Sequence, residues 1–284
     1  MNLATVEIRI ARATTLPALS YVVTQLLKIT ASPDTTMRDY ARIILQDSAI
    51  ASKVLRVANS SYYGGRTVST LDKAIALLGV NTVRSICMTV AFQSSLTNKN
   101  LPKRFLVNEY WQHSLAVACA SKILACLKKH PQPEEVFIAG LMHDIGKMAL
   151  ALYMPVEANF VYQTMQEQQI GQYEAEHDCM GLTHQDIGLL VAQKWGLPPS
   201  YYDAIARHHT PANEGDEIDL ITACVHVGNC IAHEAGIGDN IYRNHHTADP
   251  VIMSYLDIPE AQFEPLKKAV AHEIAVLSLQ YQMQ

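Results

Sequence analysis

An all-α fold is predicted for this 284-residue chain by three observations. Glycine and proline are sparse, at 13 and 12 residues. Alanine, leucine and isoleucine recur at spacings of three and four, the interval that keeps one face of a helix apolar. Ser, Thr and Asp stand repeatedly just before such stripes, where a side-chain oxygen caps the first N–H groups, and Gly or Pro stands just after them. With 49% hydrophobic residues the chain can bury a substantial core.

Taken in order, Leu16, Leu19, Val22, Val23, Leu26 and Leu27 draw one helical stripe to Ile29, which Ser32-Pro33-Asp34 breaks. A helix follows from near Thr35-Thr36 through Tyr40, Ile43 and Ile44. Asp47-Ser48 caps the next, which carries Ile50, Val54, Leu55, Val57 and Ala58 and ends in the turn-rich run from Asn59 to Gly65. Ser69-Thr70 caps a helix that Gly79 closes, and Val80 to Phe92 supplies another apolar helix. The polar segment Thr97 to Pro102 then marks a boundary. Two packed helical sub-domains are expected, residues 1–100 and residues 101–284.

In the second sub-domain a long helix from about Arg104 to Lys128 contains His113. Pro131 to Pro133 separates it from one apolar helix, Glu134 to Leu152, containing His143-Asp144-Ile145-Gly146-Lys147. Thr183 with Asp186 three residues later has the form of a capping box opening a helix to Trp195, which Gly196-Leu197-Pro198 stops. Pro199 starts a helix that reaches His208-His209, and Asp219 to Ala235 forms another. Glu260 to Leu279 is amphipathic, with Phe263, Leu266, Val270, Ile274 and Leu277 as its stripe, suited to packing on the second bundle or to a dimer contact.

The net charge of −5 and pI near 6.2 give no electrostatic reason to expect a nucleic-acid partner, which clustered Lys and Arg would attract. The apolar stretches around Leu115 to Leu127 and Ile221 to Ala232 are interrupted by Lys122, His226 and Asn229, so no membrane segment is expected. Glu7, Arg9 and Arg12 interrupt the amino terminus where a secretory signal would be apolar, and a cytoplasmic location is expected. The six cysteines fall singly in apolar segments and read as buried reduced thiols.

The chemistry lies in the 12 histidines. His143-Asp144 ends an apolar run, and an imidazole and a carboxylate offered to one interior point suit a divalent cation: zinc, iron, manganese or magnesium. A His-Asp dipeptide alone is weak evidence. His177-Asp178 sits in a polar stretch and reads as solvated, with supporting a ligand as its other reading; His245-His246 reads as a surface loop. His113, His184, His208 and His209, however, occupy equally apolar helices on either side of His143-Asp144. Two readings stand: convergence of these side chains on one or two metals in a helical bundle, or each histidine satisfied singly by a backbone carbonyl or as a helix C-terminal cap.

The order His113, His143-Asp144, His184, His208-His209 resembles the ligand order of the HD superfamily of metal-dependent phosphohydrolases, which adds an aspartate on a later helix. Here Val225-His226-Val227-Gly228-Asn229 matches that helix, and Asn229 stands in the aspartate's place. An amide oxygen is a neutral, poorer ligand, so the resemblance implies a weakened or empty site at His113, His143 and Asp144. Leu16-Pro17-Ala18-Leu19, the run from Asp47 to Ser60, and Ala74 to Gly79 further resemble the HDOD family, a likeness that continues through His143 to Lys147, His184 to Pro198 and His208 to Pro211. Ser48 stands where that family usually has proline.

The HDOD resemblance implies an amino-terminal helical bundle with an HD-like bundle, and a role in bacterial signalling beside cyclic-dinucleotide enzymes. It also implies a degenerate metal site without established catalysis. The Gly-Tyr-Pro element of the related phosphodiesterases is absent after His208-His209, where Thr210-Pro211-Ala212-Asn213 follows, which argues against cyclic-dinucleotide hydrolysis. The preferred expectation is a binding or output module that engages a signalling protein. The alternative is a metal-dependent phosphohydrolase acting on a phosphate-containing small molecule. In it Asp144 and the histidines activate water, and Lys147, one turn after His143, neutralises a phosphate oxygen. Taken on its own, Lys147 reads more readily as a surface charge at a helix C-terminus.

Overall fold

Helices in this chain begin where the sequence offers an acceptor to their unpaired first N–H groups. The computed structural model describes residues 3–12, 22, 25–26, 35–60, 67–96, 101–212, 217–238 and 247–280. Among them the regular structure is helical, without a strand. The chain divides into two compact units, one of Pro17–Thr97 with Ala275–Gln284 and one of Met1–Leu16 with Asn98–Ile274.

The first of these units contains α2 (Met37–Ile44), α3 (Ser48–Ala58), α4 (Leu71–Leu78) and α5 (Val80–Leu96), numbered in chain order after α1 (Leu3–Arg12) of the other unit. Thr36 and Asp39 form a capping box on α2, Asp47 accepts the N–H groups of Ala49 and Ile50, and Thr70 accepts that of Lys73. Ile44, Ile50, Val54, Ile75, Val83 and Phe92 are the centre of the core. Asn59 closes the loop after α3, its amide donating to the carbonyls of Leu55 and Val68 while its oxygen accepts the Val68 N–H. Of the helix expected over Leu16 to Ile29, Val22, Gln25 and Leu26 are helical, with Val22 and Leu26 buried; the rest, including Leu16 to Leu19, lies outside the described residues.

The larger unit is built on α6 (Val107–Leu127), which packs against α7 (Pro133–Met142) and against α13 (Leu220–Glu234). Gly228 permits the second approach, because a Cβ there would come within 2.7 Å of Ser121 Oγ on α6. Beside them α8 (Ile145–Tyr153) packs on α11 (His184–Trp195), α9 (Pro155–Gln168) on α10 (Gln172–Met180), and the short α12 (Tyr202–Arg207) on α11 and α13. Pro133, Pro155 and Pro250 occupy the first position of α7, α9 and α14 (Pro250–Tyr255), where no intrahelical N–H is needed. The capping box of Thr183 and Asp186 is present on α11, and Gly196 ends that helix with a positive φ of 65°.

Several expectations are corrected. The apolar run from Glu134 to Leu152 is two helices, broken at His143-Asp144, where Asp144 takes φ −95° and ψ 16°. Residues 1–16 belong with the larger unit: Val6 is buried, α1 packs on α11, and Arg9 pairs with Glu157 at 2.6 Å. Residues 275–284 group with the smaller one. Within the larger unit the beginning of α15 (Phe263–Gln280) buries Leu266, Val270 and Ile274, and Lys267 reaches Glu234 of α13. Leu277 lies outside the described side chains. Cys126 is exposed and Cys179 half-buried, whereas the other four cysteines are buried.

By length and composition residues 133–153 would pass for a membrane span, rather than the two stretches noted in the sequence, but 83% of that window is buried inside the fold. The segments α4 and α5 reach such a length only across a 111° bend at Gly79.

Candidate metal centre

The break between α7 and α8 sets the geometry. His143 caps the end of α7 and Asp144 precedes α8, so both side chains enter the interior where a continuous helix would have turned them 100° apart. The break is accommodated by Gly146: a Cβ there would overlap the carbonyl oxygen of His184 and approach Gly188 N to 2.8 Å. Glycine at 146 therefore lets α8 lie directly on the start of α11, which places His184 against Asp144.

Asp144 is the hub. Its Oδ1 lies 3.2 Å from His184 Nε2 and 3.5 Å from His208 Nε2. Its Oδ2 lies 3.3 Å from His143 Nε2, 3.6 Å from His113 Nε2 and 2.7 Å from Lys147 Nζ. His209 Nε2 is 3.2 Å from His184 Nε2. Two groups of potential ligands thus share Asp144: Asp144, His184, His208 and His209 on one side, and His113, His143 and Asp144 on the other. Within each, the ligand atoms lie within 4.8 Å of one another, near twice a metal–ligand bond of about 2.1 Å.

The imidazoles are oriented from behind. His143 Nδ1–H donates to the Gly140 carbonyl at 2.8 Å, and His208 Nδ1–H is shared between the carbonyls of Ala204 and Ile205 at 3.1 Å. His184 donates both its backbone N–H and its Nδ1–H to Glu176 Oε2, at 2.6 and 2.7 Å, and Gln172 donates to the other oxygen of Glu176. In each case the second nitrogen, Nε2, faces Asp144 and can offer its lone pair to a metal once any proton it carries, as on His184, is displaced, the arrangement by which carboxylates and carbonyls fix metal-binding histidines.

Burial and charge act in opposite directions here. Burial pushes the imidazoles of His113 and His208 down to about 3, against the attraction of Asp144. Burial also acts to lower His184, but the Glu176 carboxylate and the contact with Asp144 outweigh it and hold that ring up at about 8. Burial would raise Asp144, yet the neighbouring His143 and Lys147 keep its carboxyl well below the usual range.

The donor set fits a divalent cation. His113 Nε2 and Asn229 Oδ1 are fully buried without a hydrogen-bond partner. Unsatisfied polar atoms are costly in an interior, and a bound cation would satisfy an imidazole nitrogen such as His113 Nε2 beside Asp144. Asn229 is buried on α13 between His226, whose Nδ1–H donates to the His208 carbonyl at 2.7 Å, and His233, whose ring centroid is 4.7 Å from that of His113. Asn229 thus lies on α13 between two residues that touch His208 and His113, one from each half of the centre.

A family model for the HDOD domain matches residues 16–211. The chain belongs to the HDOD family. Similar solved folds include an HDOD domain protein of unknown function from Geobacter sulfurreducens, at 24% identity and TM-score 0.75 over 94% of this chain and 96% of that one. A candidate signal transduction protein from Marinobacter aquaeolei VT8 shares 22% identity at TM-score 0.75, over 98% of this chain and 67% of that one. A candidate phosphohydrolase from Shewanella amazonensis SB2B shares 24% identity at TM-score 0.68, over 93% and 92%. At these identities the likeness is one of fold. An uncharacterized protein of Treponema pallidum (strain Nichols) is 21% identical over 220 residues, 75% of this chain, and the chain spans only 41% of its length.

In this HDOD chain His113, His143, Asp144, His184, His208 and His209 all meet, and Lys147 joins them in the interior, 9% exposed, instead of ending a surface helix. His177 and Asp178 are solvated, with side chains 70% and 59% exposed. The residue that supports His184 is their neighbour Glu176, which the sequence reading passed over; a carboxylate on the buried stripe of Gln172, Ala175, Glu176 and Met180 was its signal. His233 was passed over too, though it lies four residues after Asn229 on the same helix face. His245 and His246 lie outside the described residues.

Proposed function

We propose that this chain is a regulatory signal-transduction protein whose HD-like unit holds one divalent metal in a degenerate centre and serves as a binding or output module for a signalling partner. Asp144, His184, His208 and His209 would hold the metal, the tautomers of His184 and His208 being fixed by Glu176 and by the α12 carbonyls. A metal there supplies Lewis-acid polarisation of a bound oxygen. The protein's own groups orient the ligand nitrogens, exclude water from Oδ2 of Asp144 and hold that carboxylate ionised.

The observation that carries this reading is Asn229. It stands on the helix face between the contacts to His208 and His113, buried, its oxygen without a partner, and it brings no negative charge to the half of the centre that has His113 and His143. A phosphohydrolase of this donor type needs its nucleophilic water activated and its leaving oxygen stabilised, roles that a pair of ions divides between them. The names of the Marinobacter and Shewanella proteins point respectively to signalling and to hydrolysis. Asn229 favours the first.

Protein purified without chelator is expected to carry about one metal per chain and to show no manganese-dependent turnover of generic phosphodiester and nucleotide substrates. Turnover that His143→Ala abolishes overturns the regulatory reading in favour of the hydrolase.

A further inference from the structure

One buried histidine stands outside the proposed ligand set. His226, on α13 one turn before Asn229, is 6% exposed and is bonded at both ring nitrogens. Its Nδ1 lies 2.7 Å from the His208 carbonyl oxygen, and its Nε2 lies 3.0 Å from the backbone nitrogen of Asp249. A carbonyl can only accept and a backbone N–H can only donate, so the ring is neutral and carries its proton on Nδ1. Burial acts in the same direction and pushes this imidazole below its ordinary value.

The bond to His208 reaches two ligands through one peptide. The carbonyl of residue 208 and the nitrogen of residue 209 share a planar unit, so anchoring that carbonyl sets the plane from which His208 and His209 both start. The six-residue α12 ends here, and its last carbonyls are taken in turn. The ring of His208 donates to Ala204 and Ile205, the Thr210 N–H donates to Arg207, and His226 donates to His208 itself. The others are local to the helix end; the bond from His226 comes from another helix.

The second nitrogen reaches the cap of a short helix. Asp249 precedes α14, and its Oδ1 accepts the Val251 N–H at 2.8 Å. With six residues α14 is too short to persist alone. It is held by burying Ile252, with Leu256 just beyond its end, while Val251 and Tyr255 face outward. Two hydrogen bonds through one neutral ring therefore join the peptide between two proposed ligands to the start of α14.

We infer that His226 is a positioning residue that links the metal centre to α14: filling the Asp144–His184–His208–His209 set fixes the 208–209 peptide and, through His226, holds α14 against the bundle. An ion bonded to both Nε2 atoms removes freedom that this peptide otherwise keeps. The link is reciprocal, since a tie that steadies α14 when metal binds also tightens metal when α14 is docked. This rests on the single-metal reading above and adds where occupancy of the centre is felt.

The test separates the two bonds. An asparagine amide branches at Cγ, as Nδ1 does, and a glutamine amide lies one carbon further, near the place of Nε2. His226→Asn therefore keeps a donor for His208, His226→Gln keeps an acceptor for Asp249, and His226→Leu keeps neither. Chelator-treated wild type and the three variants are titrated with Mn(II). Hydrogen exchange of residues 249–258, which contain α14, is read by mass spectrometry with and without the ion.

In wild type, saturating Mn(II) should slow that exchange about fivefold or more, and in every variant this slowing should be lost. Affinity should fall about 10- to 100-fold in His226→Leu and His226→Gln. His226→Asn should lose about fivefold, the linkage alone. Equal losses in the asparagine and glutamine variants would mean that the ring only fills space, and they overturn the positioning role. Wild type that binds the ion with unchanged exchange at 249–258 overturns the link, as does slowing that persists in both amide variants. Wild type that takes up no ion defeats the single-metal reading, and the link with it. Circular dichroism checks the fold, and if His226→Leu loses its helical signal the comparison of asparagine with glutamine decides.

Discussion

Glu176 Oε2 accepts two hydrogen bonds from a single residue, His184, through the backbone N–H at 2.6 Å and the ring Nδ1–H at 2.7 Å. One carboxylate oxygen therefore fixes both the start of α11 and the tautomer of its first side chain. With Glu176→Gln the amide oxygen can still accept both bonds, but the substitution removes the charge that keeps Nε2 basic. Metal affinity, measured by Mn(II) titration, is expected to fall about 10- to 100-fold with helical content unchanged. Unaltered affinity would mean that His184 is not a ligand.

The histidines also predict how the metal-free protein responds to pH. His184 is raised from 6.5 to about 8 when folded, so its proton stabilises the fold fully below about pH 6.5, and that stability is lost as pH rises through 8. His113 and His208 are lowered to about 3, so their contribution is present above pH 6.5 and is lost as pH falls toward 3. In chelator, denaturant unfolding should show stability declining from pH 6.5 to 8.5 by an amount on the order of 1–2 kcal/mol. Glu176→Gln should flatten that limb while leaving the acid limb. An alkaline limb that persists in Glu176→Gln would assign it to another group.

Local chemistry carried much of the fold into the sequence. Asp47, Thr70 and the pair Thr183 and Asp186 cap helices because a short polar side chain next to an apolar stripe has few other uses. The break at His143-Asp144 was hidden, since the apolar run continues through it and Gly146 alone marks it. What required the break is a tertiary contact, the approach of α8 to the His184 carbonyl, which no local pattern encodes. The centre was legible as a set of histidines in apolar helices. Glu176 and His233 were not, because each belongs to the site only through the partner it meets across the bundle, His184 for one and His113 for the other.

That contact gives a further expectation. Gly146→Ala places a methyl into backbone of α11, which has no side chain to move aside. The variant should lose more than about 3 kcal/mol of stability or fail to fold, and metal uptake should fall with it. A near-neutral change in the thermal midpoint would show that α8 and α11 do not approach as closely as described.

The two His-Asp-adjacent histidines on either side of α11's start give the sharpest contrast. His177 is solvated and pairs loosely with Asp178 at 3.7 Å, so His177→Ala should change stability by less than about 0.5 kcal/mol and leave metal binding intact. His184→Ala removes a proposed ligand and also leaves the buried Glu176 carboxylate with one partner fewer. Stranding a buried charge costs about 3–5 kcal/mol, so the metal-free variant should be destabilised on that scale as well as losing metal. Glu176→Gln in the His184→Ala background removes the stranded charge, and it should recover part of the stability but none of the metal. Recovery of both would place the ligand elsewhere, and recovery of neither would mean that the loss in His184→Ala does not arise at the Glu176 side chain.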